Sequence, residues 1–308
     1  MRIARLLAPL VSALLITGSL GTWAKAPHLI HPRSAHAVVA IDDAIYVLGG
    51  SGPYSASVER FDGTSWKVVT QLPEGPVNAP AAAVVDGKIY VIGGFSGTTN
   101  EPLADVEVYD PVANAWSRAA PLPAPRGGEA AVVLDGKIHV VGGGNSTSTI
   151  ADHSVFDPVT GAWTSAAPLP RAEGSPAAVV VGDKLWAIGG RSGLSDFGGV
   201  YVYDPAADSW SAGPSIPPRG TAGAALYGNA IYLFGGESQP KAKVLGGVFR
   251  LAAGASAWKL VTTLPHPRNY ARAVVFRNAI YVVGGSTSYG GSHTATGSVF
   301  VDRYTVKG

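Results

Sequence analysis

"IYVLGG", residues 45–50, decides the fold because the chain says it six times. It returns as IYVIGG (89–94), IHVVGG (138–143), LWAIGG (185–190), IYLFGG (231–236) and IYVVGG (280–285). The first Gly of each pair stands at 49, 93, 142, 189, 235 and 284, so the period runs from 44 to 49 residues. That spacing suits the blades of a propeller and not solenoids with a repeat of about 33 residues.

Each unit reads outward from its double Gly in the same way. An Ala- and Val-rich run precedes it, as in SAHAVVA, PAAAVV and EAAVVL. A two-residue turn follows that run (Asp42-Asp43, Asp86-Gly87, Asp135-Gly136, Gly182-Asp183, Gly228-Asn229, Arg277-Asn278), of the kind that closes tight hairpins. After the Gly pair and a variable loop comes VERFDG, VEVYDP, HSVFDP or VYVYDP, and then a Trp. This gives four antiparallel strands per unit, a to d. Small residues in strand a fit the crowded axis, and the larger aromatics of the outer strands fill the widening space between blades. His139 stands where four other units have Tyr and is read as a packing aromatic. With 40 Gly and 23 Pro in 308 residues, composition also favours short strands and turns over helices.

The termini settle how the ring closes. Five units carry their strand-d Trp at 66, 116, 163, 210 and 258, each followed at +6 and +7 by Leu-Pro or Ile-Pro. The sixth unit ends at Gly308 without one, while Trp23 is followed at +6 by Leu29 and at +10 by Arg33. Residues 22–30 are therefore expected to supply the outer strand of the last blade. The expected fold is all-β, a six-bladed propeller over residues 22–308. Ahead of it, residues 1–21 read as a signal peptide: a basic start, an apolar run from Leu6 to Leu20, and small residues at the exit. The protein is thus expected to be exported, to the periplasm or the medium, with no membrane insertion once the signal is removed. Losing Arg2 and Arg5 leaves basic and acidic residues in equal number, which gives no footprint for nucleic acid. With no Cys and Met1 as the sole Met, there is no disulfide or thiolate metal site.

These features resemble the kelch family: Pro-Arg before strand a, aromatic-x-x-Gly-Gly, Tyr-Asp-Pro, and a Trp about 20 residues after the double Gly. The resemblance covers essentially residues 22–308. It implies the propeller fold, but that fold serves enzymes, binding modules and scaffolds alike. A copper radical oxidase similar to galactose oxidase would need a Tyr–Cys cross-link, which this chain cannot form. The iron site of specifier-type kelch proteins would fall on Glu101, Asp105 and a third position that here is Tyr109. The resemblance to sialic-acid mutarotases casts Glu237 in an acid–base role, with Lys241 and Lys243 where an Arg is expected. No cofactor and no metal site is expected.

Sixteen residues before each double Gly stand Arg33, Val77, Arg126, Glu173, Arg219 and Arg268. Arg33, Arg126 and Arg219 are two blades apart and Arg268 makes a fourth; they read either as structural residues that bond carbonyls of neighbouring blades or as a guanidinium ring at the channel mouth, joined by Arg191, Glu173, Glu237 and Tyr270. Such a ring suits capture of carboxylate, sulfate or phosphate. Tyr54, Phe95, Phe197 and Tyr289 are candidate stacking residues. The expected function is a binding module taking a glycan, an anionic small molecule or a peptide at this mouth. A sugar mutarotase and a protein-interaction scaffold are the alternatives.

Overall fold

A computed structural model describes residues 20–290 and 297–307. They form six four-stranded antiparallel sheets arranged as blades. Blade 1 comprises strands a to d at Ala37–Ile41, Ala44–Leu48, Ser57–Phe61 and Trp66–Gln71. Blades 2 to 5 repeat this order, and the a strands touch one another in a closed circle. Blade 6 takes strands a to c from Arg272–Phe276, Ala279–Val283 and Val301–Val306, and its strand d from Gly21–Lys25. The register runs from Gly21 opposite Val306 to Lys25 opposite Asp302. The N-terminal strand closes the ring as the sequence predicts, which leaves blade 6 with no free outer edge of its own strand c. The expected signal segment lies outside the described residues up to position 19; Leu20 accepts a hydrogen bond from the Lys307 amide at 2.8 Å, and Gly21 is already in the strand. Among the described residues no helix is long and apolar enough to cross a membrane.

The Trp register has a physical basis. Each strand-d indole donates its N–H to the preceding blade: Trp66 to the Pro27 carbonyl (2.9 Å), Trp116 to Thr70 Oγ1 (3.1 Å), Trp163 to Ala120 O, Trp210 to Ala167 O and Trp258 to Pro214 O (2.8 Å each). Trp23 does the same toward Thr262 Oγ1 at 3.3 Å. The apolar residue six positions later is buried in every blade, Leu29 included. Apolar clusters sit between blades; in one, Trp23 packs with Tyr304, Phe234 and Leu264 across the closure. His139 is buried as expected, and its Nδ1 lies 2.9 Å from His153 Nε2. Tyr109 is core, packed on Trp116 and donating to Asn114.

The double Gly is where neighbouring blades meet. All twelve of these glycines have positive φ. The second Gly of each pair donates its N–H to the carbonyl sixteen residues before the next blade's pair, at 2.8–3.2 Å: Gly50 to Val77, Gly94 to Arg126, Gly143 to Glu173, Gly190 to Arg219, Gly236 to Arg268 and Gly285 to Arg33. A Cβ on the first Gly would lie within 2.4–3.0 Å of that same carbonyl oxygen, so no side chain fits.

Candidate functional site

The expected ring of arginines is not at the mouth. Arg33, Arg126, Arg219 and Arg268 are 0–4% exposed and turn into their own blades. Their partner is the strand-c residue paired with the position two before the double Gly. In blade 1 it is Glu59, 2.8 Å from the Arg33 guanidinium; in blade 6 it is Asp302, 3.0 Å from that of Arg268. In blade 3 it is Ser154, whose Oγ accepts from Arg126 at 2.6 Å; in blade 5, Arg219 lies 4.4 Å over the Phe249 ring. Carbonyls of Gly49, Asp152, Gly235 and Val282 accept further bonds. These side chains brace strand a's entry against strand c, and burial draws the Arg219 pKa down to about 10.

The two departures follow from the same geometry. Val77 leaves Glu107, the blade 2 counterpart of Glu59, without a guanidinium; burial first, then Asp105, pushes its pKa up to about 7. Glu173 is fully buried, neither carboxyl oxygen finds a hydrogen-bond partner, and burial raises its pKa to about 8. What all six blades share at this position is the main-chain carbonyl, so its side chain is free to vary.

Three of the sequence-predicted residues do converge. Arg191 and Glu237 occupy equivalent places, two after the first Gly of blades 4 and 5, and Tyr270 enters from blade 6. Arg191 Nη1 donates to Glu237 Oε1 at 2.5 Å, and Nη2 donates to the Tyr270 hydroxyl. Glu237 is 0% exposed and also accepts from Asn269 Nδ2 (2.6 Å), Gln239 Nε2 (3.3 Å) and the Gly290 amide (3.4 Å). Five donors' worth of demand at the two groups is thus met locally, yet the Arg191 side chain stays 22% exposed. It borders a cavity of about 520 Å³ on the loop face, lined also by Phe95, Asn145, Ser146, Thr147, Ser148, Thr149, Ser175, Gln239 and Tyr270. Of the other candidates, Tyr54 stacks on His31, Phe197 lies under Arg171, and Tyr289 donates to Gln239 at 2.5 Å. Lys241 and Lys243 are exposed on the loop beyond Glu237.

Sequence reading named Tyr270 but missed the main-chain collar to which it belongs. Fourteen residues before each double Gly stand Ala35, Ala79, Gly128, Ser175, Thr221 and Tyr270, all with φ between 50° and 68°. Their main chains bond head to tail around the axis: Ala79 N to Ala35 O (2.8 Å), Gly128 to Ala79 (2.9 Å), Ser175 to Gly128 (2.7 Å), Tyr270 to Thr221 (3.0 Å) and Ala35 to Tyr270 (3.3 Å). Tyr270 is the one large side chain on this collar; it is 2% exposed and packs with Ala35, Ala79 and Phe95. The available signal was an aromatic in a row of small residues.

This repeat geometry is matched by family models. One for the KLHDC2/KLHL20/DRC7 Kelch-repeats domain covers residues 18–190, and a Kelch-motif model covers 174–217. The chain belongs to the kelch-repeat family. Kelch relatives include the N-acetylneuraminate epimerase of Pasteurella multocida (strain Pm70), 38% identical over 99 residues, which is 30% of this chain and 26% of that protein. Mouse Kelch-like protein 36 is 32% identical over 111 residues, 33% of this chain and 18% of its own. Beta-scruin of Limulus polyphemus is 32% identical over 114 residues, 34% of this chain and 12% of its own. The matched stretch thus spans about a quarter or less of these curated relatives. The solved structure of YjhT superposes with a TM-score of 0.80 over 91% of this chain and 97% of that one, at 19% identity, a likeness of fold alone.

Proposed function

We propose that this kelch propeller is exported and acts as a binding module whose loop-face cavity takes a glycan or another small polyhydroxylated molecule bearing an acidic group. The observation that carries this reading is the composition of the cavity wall around Arg191. Ser, Thr, Asn and Gln side chains both donate and accept hydrogen bonds, which matches sugar hydroxyls. Phe95 offers an aromatic face to the C–H side of a sugar ring. Arg191, held on one side by Glu237 and on the other by Tyr270, presents a fixed cation to a carboxylate. The test is a thermal-shift panel of acidic sugars, neutral sugars and short acidic peptides on residues 20–308. A shift with one acidic sugar that disappears in Arg191→Ala supports the reading. No shift with any sugar sinks it, and a shift with peptide alone would replace it with a protein partner.

A second reading is catalysis at the same place, favoured by the buried Glu237 carboxyl in direct contact with a guanidinium beside a phenol. Ring opening of a sugar hemiacetal needs a group to take a proton and a group to give one. The similarity to an N-acetylneuraminate epimerase over part of the chain supports testing it. Anomer exchange followed by NMR should then exceed the uncatalysed rate and fall to it in Glu237→Gln, with binding retained. Exchange at the uncatalysed rate with bound sugar leaves the binding module alone.

A further inference from the structure

Below the Tyr270 collar lies a second cavity that the function proposed above does not use. It occupies the central channel, has a volume of about 120 Å³, and is lined by strand a from all six blades. Twelve residues before the double Gly the row reads Ala37, Ala81, Ala130, Ala177, Gly223 and Arg272. Five blades place a methyl group or nothing at the axis; blade 6 places a guanidinium. Every other side chain lining the cavity is Ala, Val, Pro or Gly, apart from Glu129 of blade 3.

The charges here do not cancel. Among the described residues the Arg272 guanidinium has no hydrogen-bond or ion-pair partner. Glu129 is 3% exposed and reaches no side-chain partner; only the main-chain N–H groups of Ala81 and of Glu129 itself lie near. Burial lifts its pKa to about 8, against the opposing pull of Arg126 and Arg272, so it is uncharged at neutral pH. His36 is fully buried between blades 1 and 6, and burial together with Arg33 and Arg272 keeps it neutral. Apart from Glu129, the walls offer Arg272 no charged or polar side chain, and a cation without a hydrogen-bond acceptor in such surroundings is costly.

We propose that the central channel is an anion site, in which Arg272 holds a small planar oxyanion such as a carboxylate of one or two carbons, bicarbonate or nitrate. The flat guanidinium fork fits two oxygens of such an ion at once. The cavity has room for that ion and a few waters and is too small for a sugar. The protonated Glu129 carboxyl supplies a donor on the far wall. The bound ion acts as a pin that ties blade 6 to the opposite side of the ring.

Nitrate is the probe of choice, because specific stabilisation then runs against any general salt effect, unlike that of sulfate or phosphate. The melting temperature is measured at pH 6.5 and constant ionic strength while nitrate replaces a bulky organic anion, and formate is run in parallel. The expected result is a saturating rise of several degrees. Arg272→Ala, which gives blade 6 the residue that four other blades already carry, should abolish the rise. Arg191→Ala, at the mouth, should leave it intact, so failure here is separable from failure of the cavity reading. Isothermal titration of nitrate into the wild-type protein must return one site per chain. A wild-type curve without saturation, or equal saturation in Arg272→Ala, would overturn the proposal.

Discussion

The inside of a blade and the mouth of the ring use the same residue types for different work. Arg33 and Arg191 are both arginines bound to a buried glutamate, Glu59 in one case and Glu237 in the other. Arg33 is 1% exposed; besides Glu59 it bonds the Gly49 carbonyl and Ser57, all inside blade 1. Arg191 crosses from one blade to the next, joins residues of blades 4, 5 and 6, and keeps a face toward the cavity. The repeat explains the first and breaks at the second. A residue type at a repeated position says little about function until its partner is known.

The largest expected effect comes from the closure. Deleting residues 20–30 removes the blade 6 outer strand, the Trp23 bond to blade 5 and Leu29 from the core. Loss of a cooperative thermal transition is expected; an unchanged melting temperature would mean that the ring does not need its fourth strand there. Next is Arg33→Ala, which strands Glu59 with only the Ile30 and His31 groups around it. Breaking such a pair costs about 3–5 kcal/mol, a drop of roughly 10 °C for a chain of this size, with the proposed ligand-induced shift unchanged in the folded fraction.

The third effect separates blade 1 from blade 2 by pH. The Glu107 pKa is raised to about 7 in the folded chain, above its ordinary unfolded value. Its stabilising contribution is therefore full below about pH 4.5 and is lost as pH rises toward and through 7, by about 3 kcal/mol at 1.36 kcal/mol per unit. Melting temperature should fall over that window in wild type and fall less in Glu107→Gln. The opposite sign holds for the His139–His153 pair, whose pKa values burial lowers to about 4. That contribution is present above about pH 6.5 and lost as pH falls through 4, so His139→Phe should flatten the acid limb. The smallest stability effect is expected at Arg191→Ala, about 1–2 kcal/mol, because Asn269, Gln239 and Gly290 still serve Glu237. Its ligand-induced shift should vanish all the same. A variant that melts as low as Arg33→Ala would erase the distinction between the two arginines.

Much of the architecture was legible because it rests on backbone demands. A double Gly that must admit a neighbour's carbonyl, and a Trp that must reach the preceding blade, leave marks at fixed spacing, and Trp23 carried that mark to the other end of the chain. The site was less legible. Four arginines at one repeat position suggest a ring, while their partners lie 26 to 34 residues downstream and differ in kind: Glu59, Ser154, Phe249 and Asp302. Reading the pairs Arg33 with Glu59 and Arg268 with Asp302 would have assigned them to the blade interior. The collar at Ala35, Ala79, Gly128, Ser175, Thr221 and Tyr270 left almost no trace, because its bonds are between main chains and tolerate any small side chain.

Closure by the two ends also sets a timetable. Gly21–Lys25 leaves the ribosome ahead of every other strand of the propeller, and its partner Val301–Val306 behind them all. Until that last strand emerges, the growing propeller is an open spiral whose leading strand has no neighbour and whose trailing blade is unfinished. Exposed strand edges invite pairing with the wrong chain. The moment of greatest hazard for this protein therefore precedes closure of its ring, and whatever keeps that first strand unoccupied until the last one arrives governs its yield.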